Sequence, residues 1–174
     1  MLVVDAGVVA VALADDGVAG DTARARLRGE DLAAPELLDL EVASVLRRQV
    51  MTGAMGTGRA DLALADLIAL PIRRVPHLAL LTRAWELREN LTMYDAAYVA
   101  LAEALQVSLL TGDLRLARAP GPRCRIEVLG ATDLPEVRGC PRGLVCADAE
   151  QRDHRRGVPR RPSREPTARD RCGP

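Results

Sequence analysis

The chain contains no lysine and no phenylalanine, and only one tryptophan and two tyrosines among its 174 residues. Without lysine there is no Schiff-base nucleophile and no phosphate loop of the Walker type. With aromatics at 2%, rows of rings that stack on nucleic-acid bases are not expected. The core must instead be built from Ala, Leu and Val. No run of 18 apolar residues occurs, so no membrane-crossing helix is expected. The apolar start, residues 2–14, lacks a basic leader and carries Asp5 within it, with Asp15 and Asp16 directly after. That pattern argues against a secretory signal and for a cytoplasmic protein.

What is present suffices for a globular domain. Hydrophobic residues make up 48% and charged residues 28%, and a chain of this length buries roughly two-thirds of its unfolded surface. The formal net charge is zero, with arginine supplying all 24 cations, so a strongly basic DNA-coating protein is excluded. The charge is nevertheless divided. Residues 1–134 hold 14 Arg against 18 acids, and residues 135–174 hold 10 Arg against 6 acids. The second stretch also has six of the 11 Pro and three of the four Cys. Residues 1–134 therefore read as the domain and 135–174 as a flexible basic tail. Cys140, Cys146 and Cys172, with His154 nearby, lack the paired spacing of a zinc site and read as unpaired thiols.

The domain alternates strand and helix patterns. Short apolar strands are expected at 2–4, 32–34, 72–75, 107–111 and 125–129. Helices are expected at 8–13, 20–28, 36–50, 59–70, 77–90, 93–105 and 114–119. Pro35 suits the first turn of a helix. Strands separated by helices imply an α/β fold, a parallel sheet covered on both faces. In such sheets ligands bind beyond the carboxyl ends of the strands.

Four acids fall at the places where chemistry is expected. Asp5 ends the first strand, and its alternative role is to cap the next helix. Glu41 shares a helical face with Leu37 and Val45, so it points inward or into a cleft, while Asp39 reads as the solvated acid. A lone inward carboxylate is costly unless paired or bound to a metal. Asp95 stands three residues after Thr92, a capping-box spacing, on a helix whose Ala96, Ala97 and Ala100 permit close approach. Asp113 follows an apolar strand and Gly112. Four carboxylates at one sheet edge repel one another unless neutralised. A hard divalent cation, Mg²⁺ or Mn²⁺, does so with oxygen ligands. An acidic metal site lacking a nucleophilic Ser, Cys or His suggests phosphodiester hydrolysis.

The segments Val3-Val4-Asp5-Ala6, Pro35-Glu36-Leu37-Leu38-Asp39-Leu40-Glu41-Val42, Leu91-Thr92-Met93-Tyr94-Asp95-Ala96-Ala97-Tyr98-Val99-Ala100-Leu101-Ala102 and Leu110-Thr111-Gly112-Asp113-Leu114-Arg115-Leu116 resemble, in wording and order, the PIN-domain ribonucleases. Within them they resemble the VapC toxins of bacterial toxin–antitoxin pairs. The resemblance spans about residues 2–130. It implies a parallel sheet of about five strands and an acidic quartet of Asp5, Glu41, Asp95 and Asp113 holding Mg²⁺ or Mn²⁺. It also implies endoribonuclease activity, a homodimer and inhibition by a VapB-type antitoxin. The family often has Ser, Thr or Asn two residues after the first acid, where Gly7 stands here.

Other residues have weaker readings. Arg47, Arg48, Arg115 and Arg118 are candidates for RNA phosphate, Arg115 foremost for its place beside Asp113. Thr111 is a candidate for a metal-bound water or for turn chemistry. Trp85 reads as core or dimer interface, His77 as a helix start, and Tyr94 and Tyr98 as partly buried. A phosphatase of the haloacid dehalogenase type needs a second Asp at position 7 and a Lys, and a response-regulator receiver needs the same Lys. Both are excluded. A catalytically weak PIN-fold binding module, acting through a protein or RNA partner, is the alternative that Gly7 leaves open.

Overall fold

The computed structural model describes residues 1–130. The basic tail, its three cysteines and the boundary near residue 134 lie outside the described residues. Five short strands form one parallel sheet: β1 (Leu2–Val4), β2 (Leu32–Pro35), β3 (Ile72–Val75), β4 (Leu109–Thr111) and β5 (Ile126–Val128). Their spatial order is β3-β2-β1-β4-β5, and every neighbouring pair is parallel. Seven α-helices flank the sheet: α1 (Ala6–Ala14), α2 (Val18–Leu27), α3 (Leu37–Met51), α4 (Thr57–Ala69), α5 (Leu81–Glu86), α6 (Met93–Leu105) and α7 (Leu114–Arg118).

Apart from Thr111 at the end of β4, the central strands are apolar because helices cover both faces of a parallel sheet. Every side chain of β1, β2 and β4 is buried. With no phenylalanine to fill space, the core is mostly Leu, Val and Ala, joined by Ile72 and Tyr98, and α6 contributes a continuous buried run from Ala96 to Ala102. Small side chains let α6 lie close on β1 and β2.

Two local expectations are corrected. Pro35 does not open a helix but closes β2, opposite Val75. Proline has no N–H to give a ladder, and here the next residue supplies the bond: the Glu36 amide donates to the Val75 carbonyl at 3.0 Å. The helix expected over 77–90 is split. A 3-10 turn at His77–Leu80 precedes the six-residue α5, and tight i→i−3 bonds at Leu87 and Arg88 end the run before Asn90.

The chain runs outward from β1 through β2 to β3, then returns to place β4 on the other side of β1. The winding direction therefore reverses between β1 and β4. A crevice opens beyond the carboxyl ends of two strands at such a switch point. The residues that follow β1 and β4 occupy it.

Candidate active site

Asp5 immediately follows β1 and Asp113 stands two residues after β4. Both do the capping work that their positions allow. Asp5 caps α1, its Oδ1 accepting from the Gly7 amide at 3.4 Å, and Asp113 caps α7, its Oδ1 accepting from the Arg115 amide at 2.7 Å. Thr111, fully buried at the end of β4, ties the two strand ends together. Its hydroxyl donates to Asp5 Oδ2 at 2.7 Å and accepts from the Asp113 amide at 3.0 Å. Thr111 is thus more than a turn residue: it fixes the first acid from beneath.

Glu41 reaches the site from α3, partly buried as its apolar neighbours on that face require. Its Oε2 accepts from the Tyr98 hydroxyl at 2.6 Å. Tyr98 is only 1% exposed, not the partly buried ring expected, and its link to Glu41 was not foreseen. Asp95 lies in the first turn of α6. Thr92 caps that helix, accepting from the Asp95 amide at 3.1 Å, and its hydroxyl donates to Asp95 Oδ2 at 2.8 Å.

Three of the acids act on one another. Burial pushes the Asp5 carboxyl above its usual range, and Asp95 adds to the rise against the pull of the Thr111 and Gly7 hydrogen bonds. Burial likewise raises Glu41, with repulsion from Asp5 and Asp95 added and the Tyr98 hydrogen bond opposing. Raised carboxyls that also repel each other mark a place where negative charge is held at a cost. Asp113 differs. The Arg115 guanidinium spans it, Nη2 to Oδ2 at 2.9 Å and Nε to Oδ1 at 3.2 Å, and holds its carboxyl below the ordinary value.

The four acids are therefore brought to one edge but not gathered into a finished cage. Among the described residues, no group of three or more acidic, His or Cys side chains is placed to hold an ion as it stands. The donor set is nonetheless all carboxylate oxygen, the chemistry that Mg²⁺ and Mn²⁺ prefer, and a cation bound there would offset the repulsion among Asp5, Glu41 and Asp95.

The remaining candidates are dispersed. Arg47, Arg48 and Arg118 are exposed and, among the described residues, form no ion pair, whereas Arg115 is committed to Asp113. Asp39 is not simply solvated: Arg74 grips it from β3, Nη2 to Oδ1 at 3.1 Å. Trp85 is 60% exposed and so is not core, and Arg88 stacks over its ring at 5.2 Å. His77 opens the 3-10 turn, as its place after Pro76 suggested. A cavity of about 710 Å³ lies at the opposite strand ends, beside Leu32 and Pro71, and none of the four acids lines it.

Comparisons with known proteins identify the family and the fold. The PIN domain family matches residues 2–122. Ribonuclease VapC1 of Mycobacterium tuberculosis is 47% identical over 128 residues, covering 73% of this chain and 96% of that protein. Among solved structures, PAE2754 from Pyrobaculum aerophilum superposes with a TM-score of 0.54 at 25% identity, covering 73% of this chain and 83% of that one. VapBC2 from Rickettsia felis, bound to a DNA fragment from the promoter, also superposes with a TM-score of 0.54. At 14% identity, covering 73% of this chain and 97% of that one, it speaks to the fold alone.

Proposed function

The chain belongs to the PIN-domain family, with the VapC ribonucleases as its relatives, and from that premise we propose that it is an endoribonuclease toxin of a type II toxin–antitoxin pair, dependent on Mg²⁺ or Mn²⁺. The observation that carries the reading is the placement of Asp5, Glu41 and Asp95 within electrostatic reach of one another at the switch point of the sheet. A bound divalent cation supplies the positive charge that lowers the pKa of water and stabilises the charge building on the phosphodiester.

The chain's own residues set the rest. Asp5 and Asp95, each steadied by a threonine hydroxyl, would hold the ion. Glu41, fixed at Oε2 by Tyr98, would join them or orient the attacking water. Asp113 would be the fourth ligand, freed for that role if Arg115 turned from it to a phosphate of the RNA. The Arg115 side chain is 92% exposed, so it can move without disturbing the core. Water attacks phosphorus, the bond to the ribose 3′-oxygen breaks, and a 5′-phosphate is left. Arg47 and Arg118 add charge-assisted contacts to the RNA backbone.

Gly7 does not force the binding-module alternative, because Asp5 already has a hydroxyl donor in Thr111. The partners that accompany this reading are an RNA substrate, a VapB-type antitoxin and a second copy of the chain in a homodimer. Its location is the cytoplasm. Among the described residues no helix is long and apolar enough to cross a membrane.

The test is RNA cleavage by purified, antitoxin-free protein with and without Mn²⁺. Wild type is expected to cut, EDTA to stop it, and Asp95→Asn to lower the rate by at least about 100-fold, as expected when an ion-holding or charge-stabilising group is lost. Equal cleavage by wild type and Asp95→Asn rules the proposal out.

A further inference from the structure

Tyr98 makes a contact in the site that neither capping nor strand-end geometry explains. Its ring is buried in the α6 run that packs on the sheet, yet its hydroxyl leaves that apolar setting to meet a carboxylate 57 residues earlier in the chain, at 2.6 Å. A buried tyrosine needs a hydrogen-bond partner. An uncharged partner would satisfy it without holding a carboxylate away from water, and Glu41 is partly buried. The pairing therefore serves the carboxylate.

The four acids show what kind of service it is. Asp113 is gripped by a guanidinium at both oxygens, which neutralises it. Glu41 receives a single neutral donor at Oε2. One hydroxyl fixes the direction of the carboxylate, leaves Oε1 without a partner among the described residues and leaves the negative charge in place. A tyrosine suits this better than a long polar chain. It has only two side-chain torsions, and here packing locks its ring.

We propose that Tyr98 is a positioning residue for Glu41, holding Oε2 so that the other oxygen is presented to the divalent cation or to the attacking water. This rests on the nuclease reading above. Partners of this kind, which orient a ligating side chain through a hydrogen bond, are worth about 10–100-fold in metal affinity or activity.

Tyr98→Phe removes the hydroxyl and keeps the ring. Wild type, Tyr98→Phe, Glu41→Gln and the double variant are compared by Mn²⁺ titration calorimetry, RNA cleavage and thermal melting. Tyr98→Phe is expected to melt within a few degrees of wild type, to bind Mn²⁺ about tenfold more weakly and to lose about tenfold in kcat with KM for RNA unchanged. In the Glu41→Gln background the same change should alter Mn²⁺ affinity less than twofold, because the group it positions is gone. Tyr98→Phe equal to an active wild type removes this inference alone. An equal Mn²⁺ loss in both backgrounds, or a Tyr98→Phe protein that no longer folds, overturns it too, since the hydroxyl then supports the fold rather than Glu41. A wild type inert towards both Mn²⁺ and RNA removes the nuclease reading and this inference with it.

Discussion

Asp5 occupies a position where charge is useful to chemistry and unfavourable to folding. Its carboxyl is raised first by burial and further by Asp95, so the folded protein holds that proton more tightly than the unfolded chain does. Below the ordinary carboxylate range both states are protonated and the site costs nothing. As pH rises through the raised folded value, stability is lost, and the loss is complete once pH stands above that value. Asp5→Asn removes the charge and keeps the shape. In metal-free protein at pH 7 it should melt a few degrees above wild type, and that advantage should vanish by about pH 3, checked by melting curves across pH. Added Mn²⁺ should reverse the order, stabilising wild type and not the variant, and RNA cleavage by the variant should be lost. Asp5, Asp95 and Asp113 were legible as single residues, because a cap or strand-end position depends only on near neighbours. The Tyr98–Glu41 bond was not, because its two ends meet only after α3 and α6 have packed. Nor did spacing reveal that Arg74 reaches Asp39 from β3.

Among the elements, the contact between α1 and α2 is the tightest constraint on substitution. Gly20 lies buried in α2, and a Cβ there would meet the Asp15 carbonyl oxygen at 1.8 Å and the Arg24 Nη1 at 2.9 Å. The first is backbone at the end of α1 and cannot swing away. Arg24 completes the junction by donating to the Ala12 and Asp15 carbonyls, each at 2.8 Å, which satisfies the open end of α1. Gly20→Ala should therefore destabilise by about 3 kcal/mol or more, at or beyond the usual cost of overpacking, read as a lowered denaturant midpoint. A neutral result would mean that the two helices can separate without loss. By contrast Gly58 has nothing within 4 Å of an added Cβ, and Gly58→Ala in α4 should stabilise slightly through helix propensity. Element type was largely readable from periodicity, because helices and buried strands differ in length and spacing. The ends were less readable. Pro35 joined β2 because Glu36 could take over the ladder bond, and the helix expected over 77–90 broke where no side-chain cap supports it.

For the molecule as a whole, alternation of strand and helix implied a parallel sheet, but not its order. The sequence of windings that places β4 beside β1 is a property of packing, and it alone explains why Asp5 and Asp113, 108 positions apart in the numbering, face one crevice. That order also bears on how much chain the activity needs. The five strands, the buried core found among the described residues and the four acids fall within residues 1–130, and the PIN match ends at residue 122. The surplus of arginine over acid in residues 135–174, 10 against 6, lies outside that set. A chain ending at Leu134 should therefore keep a cooperative melting transition close to that of the full chain and cleave RNA with kcat within about twofold. Its salt dependence provides the sharper reading. Each cation that contacts phosphate steepens the fall of RNA affinity with salt. If arginines beyond residue 134 bind RNA, the shortened chain will show a higher KM and a shallower salt slope at unchanged kcat. If kcat itself collapses while the protein remains folded, the site requires something beyond residue 134, and the division of the chain into a nuclease domain and a basic tail is wrong.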